Sequence, residues 1–123
     1  MPALIMLDMG GNDNTRKQSI PAKTRAAVLA RDAAFRCVYC IFGRPSRNGR
    51  PYRVTLDHVK AEARGGKTIK INLVKCCARC NDDKHLMPLH LWAQMLAEDT
   101  GLDAGETTLR TYQQMFATIE KEP

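Results

Sequence analysis

Hydrophobic and polar positions recur with different periods along this chain, and the first half predicts one helix and two strands. Helical spacing of apolar side chains predicts a helix over residues 22–34, opened by Pro21 at its first turn. Alternation from Arg53 to Val59 predicts a strand, and a second short strand is expected near residues 69–74. Gly65–Gly66 interrupt the chain between them, so the two strands can fold back on each other.

The second half of the chain has helical periodicity. Residues 78–86 predict a short helix, and Pro88 opens another whose apolar positions share one face. A last helix is predicted over residues 106–120. Its apolar stripe, which we expect to face the core, consists of Leu109, Tyr112, Phe116 and Ile119. These elements together predict an α+β fold.

The length of the chain indicates the number of domains, and its charge indicates a class of binding partner. Its 123 residues fit a single domain, and its net charge is +6. Residues 22–53 carry eight basic side chains and one acidic one, whereas residues 88–123 carry two basic and six acidic ones. A basic middle segment suits a phosphate backbone, although a solvated face that keeps the protein soluble has the same composition.

The N-terminal segment predicts neither a membrane anchor nor a leader. Residues 1–20 are rich in Gly, Asn and Asp in their second half and are expected to form a flexible arm. No stretch approaches the roughly 20 apolar residues of a membrane span. Residues 1–7 are apolar but lack a basic leader, so we expect a cytoplasmic protein with no membrane partner.

Four of the five cysteines form two pairs with the same spacing, and the fifth has no partner at that spacing. Cys37 and Cys40 enclose two residues, as do Cys77 and Cys80. This spacing lets both sulfurs of a pair reach one ion, and four thiolates around Zn²⁺ make a closed structural site. The alternative is a set of buried or redox-active thiols. Cys76 has no partner at this spacing and is expected to be a packed thiol.

The two cysteine pairs form an ordered set with residues in the 36-residue segment between them and just after the second pair. The set runs CxxC, Asp57-His58, Gly65-Gly66, Asn72-Leu73, CxxC followed by Asn81, and Lys84. In this order the sequence resembles the HNH endonuclease family in its four-cysteine form, over about residues 21–86. The resemblance implies a ββα-metal core with a Cys₄ zinc knuckle over residues 21–87. Residues 88–123 are then a C-terminal helical extension.

The resemblance also implies a role for each residue of the set. His58 is the general base that activates water, a task that suits an imidazole near pH 7. Asp57 and Asn81 hold one catalytic divalent ion, which is Mg²⁺, Mn²⁺ or Ni²⁺. Asn72 braces the hairpin and orients the histidine. Lys84 and Arg79 are candidate phosphate contacts, or plain solvated surface.

Two geometric questions accompany these roles. Asp57 and His58 are adjacent on a strand, so their side chains point to opposite faces unless the strand is bulged or ends there. We therefore expect such an irregularity. His85 lies four residues after Asn81 and on a helix would share its face. It is a candidate third ligand, although a packed or surface histidine is the more common outcome.

The sequence thus predicts an HNH endonuclease that hydrolyses phosphodiester bonds of DNA, of bacterial or phage origin. A zinc-stabilised DNA-binding module without catalysis would show the same basic charge and cysteines. A subunit of a packaging, repair or restriction assembly is a third hypothesis, with a protein partner bound through the acidic C-terminal helices. The sequence does not indicate the preferred cleavage site. It also leaves open whether the substrate is DNA or RNA and whether one strand or both are cut.

Overall fold

Four helices and a two-stranded antiparallel sheet make up the described part of the chain. The computed structural model describes residues 19–121, with burial of side chains through residue 117. The elements are α1 (Ala22–Arg31), β1 (Val54–His58), β2 (Leu73–Cys77), α2 (Ala78–Lys84), α3 (Leu89–Thr100) and α4 (Ala104–Lys121). The α+β class is confirmed. Residues 1–18 of the predicted arm lie outside the described residues.

The two strands form a regular hairpin. They pair residue for residue, from Val54 opposite Cys77 to His58 opposite Leu73, so β1 has no extra residue and the alternative of a bulge is wrong. The strand instead ends at His58. The second strand lies later than the predicted residues 69–74, because Lys70–Asn72 form a 3₁₀ turn before it.

Helix α1 is shorter than predicted and is fastened to β2 by a buried ion pair. It ends at Arg31, and Asp32 follows as its C-cap residue. The Asp32 carboxylate accepts a hydrogen bond from the backbone N–H of Lys75 at 2.9 Å and pairs with the Arg31 guanidinium at 2.7 Å. The Arg31 guanidinium also donates to the carbonyl of Leu73. Because Asp32 is fully buried in this contact, the chain turns there instead of extending the helix.

The main core surrounds the cysteines. Tyr39 lies between the paired cysteines and Trp92 of α3, with an edge-to-face ring contact at 5.7 Å. The predicted inward face of α3 is confirmed by the burial of Leu89, Trp92, Ala93 and Leu96. A smaller cluster of Val28, Leu56 and Leu73 joins α1 to the other face of the hairpin. None of the described helices is long and apolar enough to cross a membrane.

Helix α4 is rotated relative to its predicted orientation. Leu109, Tyr112 and Phe116 are exposed, so the prediction that this stripe faces the core is wrong, while Ile119 lies beyond the described side chains. The buried positions are Thr107, Thr111 and Met115. Arg110 explains the rotation, because its guanidinium donates to the backbone carbonyls of Val38 at 2.7 Å and Tyr39 at 2.8 Å. Polar contacts to the cysteine turn therefore orient the helix.

Candidate metal centres and active site

Four buried sulfurs form a cluster with the dimensions of a metal site. The Sγ atoms of Cys37, Cys40, Cys77 and Cys80 all lie within 4.8 Å of one another. Four bonds of the usual zinc–sulfur length in a tetrahedron separate the sulfurs by about 3.8 Å. The Cys40 and Cys77 sulfurs are 3.9 Å apart. The cluster, here called the knuckle, therefore fits a structural Zn²⁺ as predicted.

Hydrogen bonds to the knuckle sulfurs favour their thiolate form. The donors are the backbone N–H of Cys40 to Cys37, of Gly43 to Cys40, and of Cys80 to Cys77, with the Arg44 guanidinium to Cys80 at 3.0 Å. Contacts with the neighbouring sulfurs, that of Cys37 first, lower the pKa of Cys77, whereas burial raises the pKa of Cys37. Thiolates are the form that binds metal.

The fifth cysteine is separate from the knuckle. Cys76 is fully buried and its Sγ lies 3.5 Å from the Thr55 hydroxyl. Burial first, and then the charge of Asp57, raise the pKa of its thiol well above the ordinary value. The prediction of a packed thiol is confirmed, because the thiol is buried and lies outside the cluster.

Asp57 is held on the face of β1 that meets α2. Its Oδ2 accepts a hydrogen bond from the Tyr39 hydroxyl at 2.5 Å and lies 3.0 Å from the Lys84 ammonium. Burial raises the pKa of Asp57, although Lys84 and the Tyr39 hydroxyl oppose that rise. Among the described residues the hydrogen bonds of this carboxylate all use Oδ2. Its other oxygen is the atom that suits an additional ligand.

Asn81 lies on the same interface. Its Nδ2 donates to the Thr55 hydroxyl at 3.1 Å and to the Leu56 carbonyl at 3.2 Å. These bonds use the nitrogen, so the amide oxygen is directed away from them. Thr55 and Asp57 share one face of β1 because side chains two residues apart do so in a strand. A carboxylate oxygen and an amide oxygen therefore line one interface, the donor chemistry that hard divalent cations prefer.

Lys84 and Arg79, the two residues predicted to contact phosphate, pair with carboxylates of the protein instead. Lys84 is fully buried, so the prediction that it contacts a phosphate backbone is wrong; its ammonium binds Asp57 and the carbonyl of His58. Arg79 lies 3.0 Å from Asp83 and 3.7 Å from Asp99, in a network that Arg44 and Arg47 share. Burial would raise the pKa of Asp83, but Arg47 and Arg79 outweigh it and lower that pKa. Arg79 therefore neutralises protein carboxylates.

His58 ends β1 and points into the connection between the strands. Because β1 ends at His58, strand alternation does not fix the direction of its ring. Its Nε2 lies 2.9 Å from the Thr68 hydroxyl and 3.8 Å from the Glu62 carboxylate. The Lys84 ammonium donates to the His58 carbonyl at 3.1 Å, so α2 also fixes the backbone of this residue. The imidazole is thus positioned from two sides.

Asn72 closes the connection that follows His58. Its amide donates to the carbonyls of Lys60 and Lys67 and accepts from the backbone N–H of Lys60, with all three distances between 2.9 and 3.0 Å. Its own carbonyl accepts from the N–H of Val59 at 2.9 Å. These bonds fasten both ends of the connection next to His58. A bracing role for Asn72 remains our proposal for catalysis.

The paired glycines permit this closure. Gly65 has φ of +93°, in the left-handed region, and a Cβ on Gly66 would lie 1.7 Å from the Lys60 carbonyl oxygen and 2.9 Å from the Asn72 amide nitrogen. Only glycine fits at the second position, because a side chain there would separate the groups that Asn72 joins. The Gly-Gly motif and the asparagine are therefore parts of one local structure.

Replacing Gly66 by alanine is expected to destabilise the domain. The new methyl group collides with backbone, so the connection must move, at a cost of about 1–3 kcal/mol. Urea unfolding of the zinc-loaded protein measures the loss, with Gly105→Ala in helix α4 as the control, since its Cβ meets only the Asp103 carboxylate at 3.2 Å. Equal stability of the two variants would contradict the steric explanation.

His85 does not continue the helix of Asn81. Helix α2 ends at Lys84, and His85 has φ of +49° and is exposed. The predicted shared face is therefore wrong, because the chain leaves the helical path one residue too early. His90 lies exposed in α3.

Sequence reasoning missed four side chains that contact the candidate site residues. Tyr39 contacts Asp57 and Thr55 contacts Asn81, whereas Thr68 and Glu62 lie against His58. Strand alternation could have indicated Thr55, two positions before Asp57. No local pattern identifies Tyr39 or Thr68, whose contacts join residues 18 and 10 positions apart, whereas Glu62 is only four positions from His58.

Comparison with known proteins gives a family match in the middle of the chain. Residues 37–86 match the family model described as HNH endonuclease. The match begins at the first knuckle cysteine and ends two residues after α2. No curated protein and no solved structure matches the chain.

Proposed function

We propose, from the match of residues 37–86 to the HNH endonuclease family model, that the protein is a metal-dependent endonuclease that hydrolyses phosphodiester bonds of DNA. The supporting observation is the interface of β1 and α2. There Asp57 and Asn81 present oxygen donors, and His58 is the next residue along the strand. A structural zinc site in the knuckle holds this arrangement together from the start of α2.

His58 is the proposed general base. A neutral imidazole accepts a proton from water near pH 7, and the hydroxide so formed attacks phosphorus. The base is rigid, because the connection closed by Asn72 and the bond from Lys84 restrain its backbone. Rigid placement of the base lowers the entropy cost of bringing water and phosphate together.

Asp57 and Asn81 are the proposed ligands of a divalent ion, Mg²⁺, Mn²⁺ or Ni²⁺. When bound, such an ion neutralises charge on the phosphate and stabilises the leaving oxygen. Lys84 competes for the same carboxylate, since its ammonium already lies 3.0 Å from Asp57 Oδ2. We therefore propose that Asp57 and Asn81 would hold the ion, with Lys84 keeping the carboxylate charged.

The proposed DNA contact is the connection after His58. Lys60, Arg64 and Lys67 are exposed there, within nine residues of the base. Cations around a site attract a phosphate backbone and place it beside the reacting groups. We propose these three residues as the phosphate contacts instead of Arg79 and Lys84, which pair with protein carboxylates.

A metal series tests the proposal against a binding module. Zinc-loaded protein is incubated with supercoiled plasmid and Mg²⁺, Mn²⁺ or Ni²⁺, and binding to the same DNA is measured in EDTA at a dose that leaves the zinc in place. Cutting that needs an added ion supports the nuclease. Binding without any cutting, across metals and with DNA and RNA substrates, would favour the non-catalytic module and overturn the proposal.

Binding of DNA is expected to weaken steeply with salt. Each phosphate contact releases condensed counterions, so removing Lys60 or Lys67 by alanine substitution lowers the slope of log affinity against log salt by about one. Arg53→Ala removes the same charge at the opposite end of β1 and is the matched control. An unchanged slope in Lys60→Ala and Lys67→Ala would place the contact surface elsewhere.

A further inference from the structure

A short chain of hydrogen bonds leads from the His58 ring to a carboxylate. His58 Nε2 lies 2.9 Å from Thr68 Oγ1, and the Thr68 hydroxyl donates to Glu62 Oε2 at 3.0 Å. Glu62 belongs to a 3₁₀ turn, Glu62–Arg64, and Thr68 lies just after the paired glycines. The side chains of His58 and Glu62 are only 13% and 26% exposed, so these hydrogen bonds are largely shielded from water.

The direction of these bonds determines where the imidazole proton is. A carboxylate only accepts hydrogen bonds, and a hydroxyl has a single proton. The Thr68 proton is used toward Glu62, so the Thr68 oxygen must accept the proton of His58 Nε2. A neutral imidazole with its proton on Nε2 has its lone pair on Nδ1.

We propose that Thr68 and Glu62 are positioning residues that hold His58 in its Nε2–H tautomer, so that Nδ1 is the atom that takes the proton from water. This inference deepens the proposed function and rests on it for its catalytic part. Neither residue touches substrate; both act through the ring. The 3.8 Å between Glu62 Oε2 and His58 Nε2 also lets the carboxylate stabilise the positive charge that the ring gains.

The proposed reaction needs only water and the phosphodiester. A water O–H bond breaks and its proton goes to Nδ1, while the water oxygen forms a bond to phosphorus. The bond between phosphorus and the leaving oxygen breaks, and that oxygen keeps the electron pair and takes a proton from solvent. Nε2 keeps its proton throughout, donated to Thr68.

Two substitutions of Thr68 separate positioning from simple packing. Thr68→Val keeps the shape of the side chain and removes the hydroxyl, whereas Thr68→Ser keeps the hydroxyl and removes the methyl group. Loss of an outer-shell partner of this kind lowers activity by about 10–100-fold. We therefore expect kcat to fall by that factor in Thr68→Val with KM little changed, and to recover in Thr68→Ser. Glu62→Gln is expected to lower kcat in the same way.

Ring nitrogen NMR gives a readout that needs neither DNA nor a catalytic ion. In zinc-loaded protein labelled with ¹⁵N-histidine, His58 is assigned by loss of its signals in His58→Gln. We expect shifts of the Nε2–H tautomer in wild type and Thr68→Ser, and a mixture of both tautomers in Thr68→Val. A melting curve of each variant shows that it is folded.

The outcomes distinguish this inference from the proposed function. An Nδ1–H tautomer in the wild type, or an unchanged tautomer in Thr68→Val, would overturn the inference even if the protein cuts DNA. Equal loss of kcat in Thr68→Ser and Thr68→Val would also overturn it, because a packing role would then suffice. If the wild type cuts nothing, the proposed function fails, and the tautomer still decides whether Thr68 and Glu62 position the ring.

Discussion

Removing the knuckle metal is expected to unfold the domain. The four ligands join the turn after α1 to the junction of β2 and α2, and Cys77 is at once the last residue of β2 and the N-cap of α2. Structural zinc binding contributes about 10–16 kcal/mol, as much as or more than the total stability of a small domain. Far-UV circular dichroism during stringent chelation, followed by addition of Zn²⁺, measures the loss and its recovery.

Adjacent cysteines provide the matched control for this prediction. Cys77→Ser removes a knuckle ligand, whereas Cys76→Ala removes a thiol that is equally buried and lies outside the cluster. Zinc content should fall in the first variant and stay at one ion per chain in the second. Unchanged circular dichroism after complete zinc removal would contradict the structural role of the knuckle.

Replacing Lys84 by methionine is expected to destabilise the protein by about 3–5 kcal/mol, because the buried Asp57 carboxylate would lose its cation. The Lys84 ammonium and the Tyr39 hydroxyl are the partners of Asp57 Oδ2. Urea unfolding of the zinc-loaded protein gives the loss. Without Lys84 the pKa of Asp57 rises further. A carboxyl group whose pKa is raised in the folded state stabilises that state at pH below its unfolded pKa, and this stabilisation is lost as pH rises. The stability that Lys84→Met loses relative to wild type should therefore grow with pH.

The double variant separates the pair from its packing. Asp57→Asn together with Lys84→Met removes both charges and keeps similar volumes, so its loss should be smaller than the sum of the two single losses. Additive losses would show that the two side chains act independently, which the 3.0 Å contact argues against.

The knuckle and the order of the elements could be predicted from the sequence because their signals are local. A two-residue gap between cysteines is sufficient to bring two sulfurs to one ion. The inward face of α3 follows from helical spacing alone. Asp57, Asn81 and His58 were proposed as site residues from the order of a family motif, which records a geometry that no single residue shows.

Other features depend on partners that are distant along the chain. Lysine is rarely buried, and only the opposing Asp57 explains why Lys84 is. Helix α4 is rotated because Arg110 binds carbonyls of the cysteine turn, a contact across about 70 residues that outweighs the apolar stripe. The start of β2 is displaced by the Asn72 closure. The Thr68 contact with His58 likewise joins residues ten positions apart.

The most direct test of the account compares the cleavage rates of wild type, His58→Ala and His85→Ala. Each protein carries one zinc, and nicking of supercoiled plasmid is followed in single-turnover conditions with the ion that supports cutting. Loss of a general base lowers the rate by about 10²–10⁴-fold, so His58→Ala should be slowed by that factor while His85→Ala stays within a few-fold of wild type. Equal rates for His58→Ala and wild type would contradict the assignment of His58 as the base.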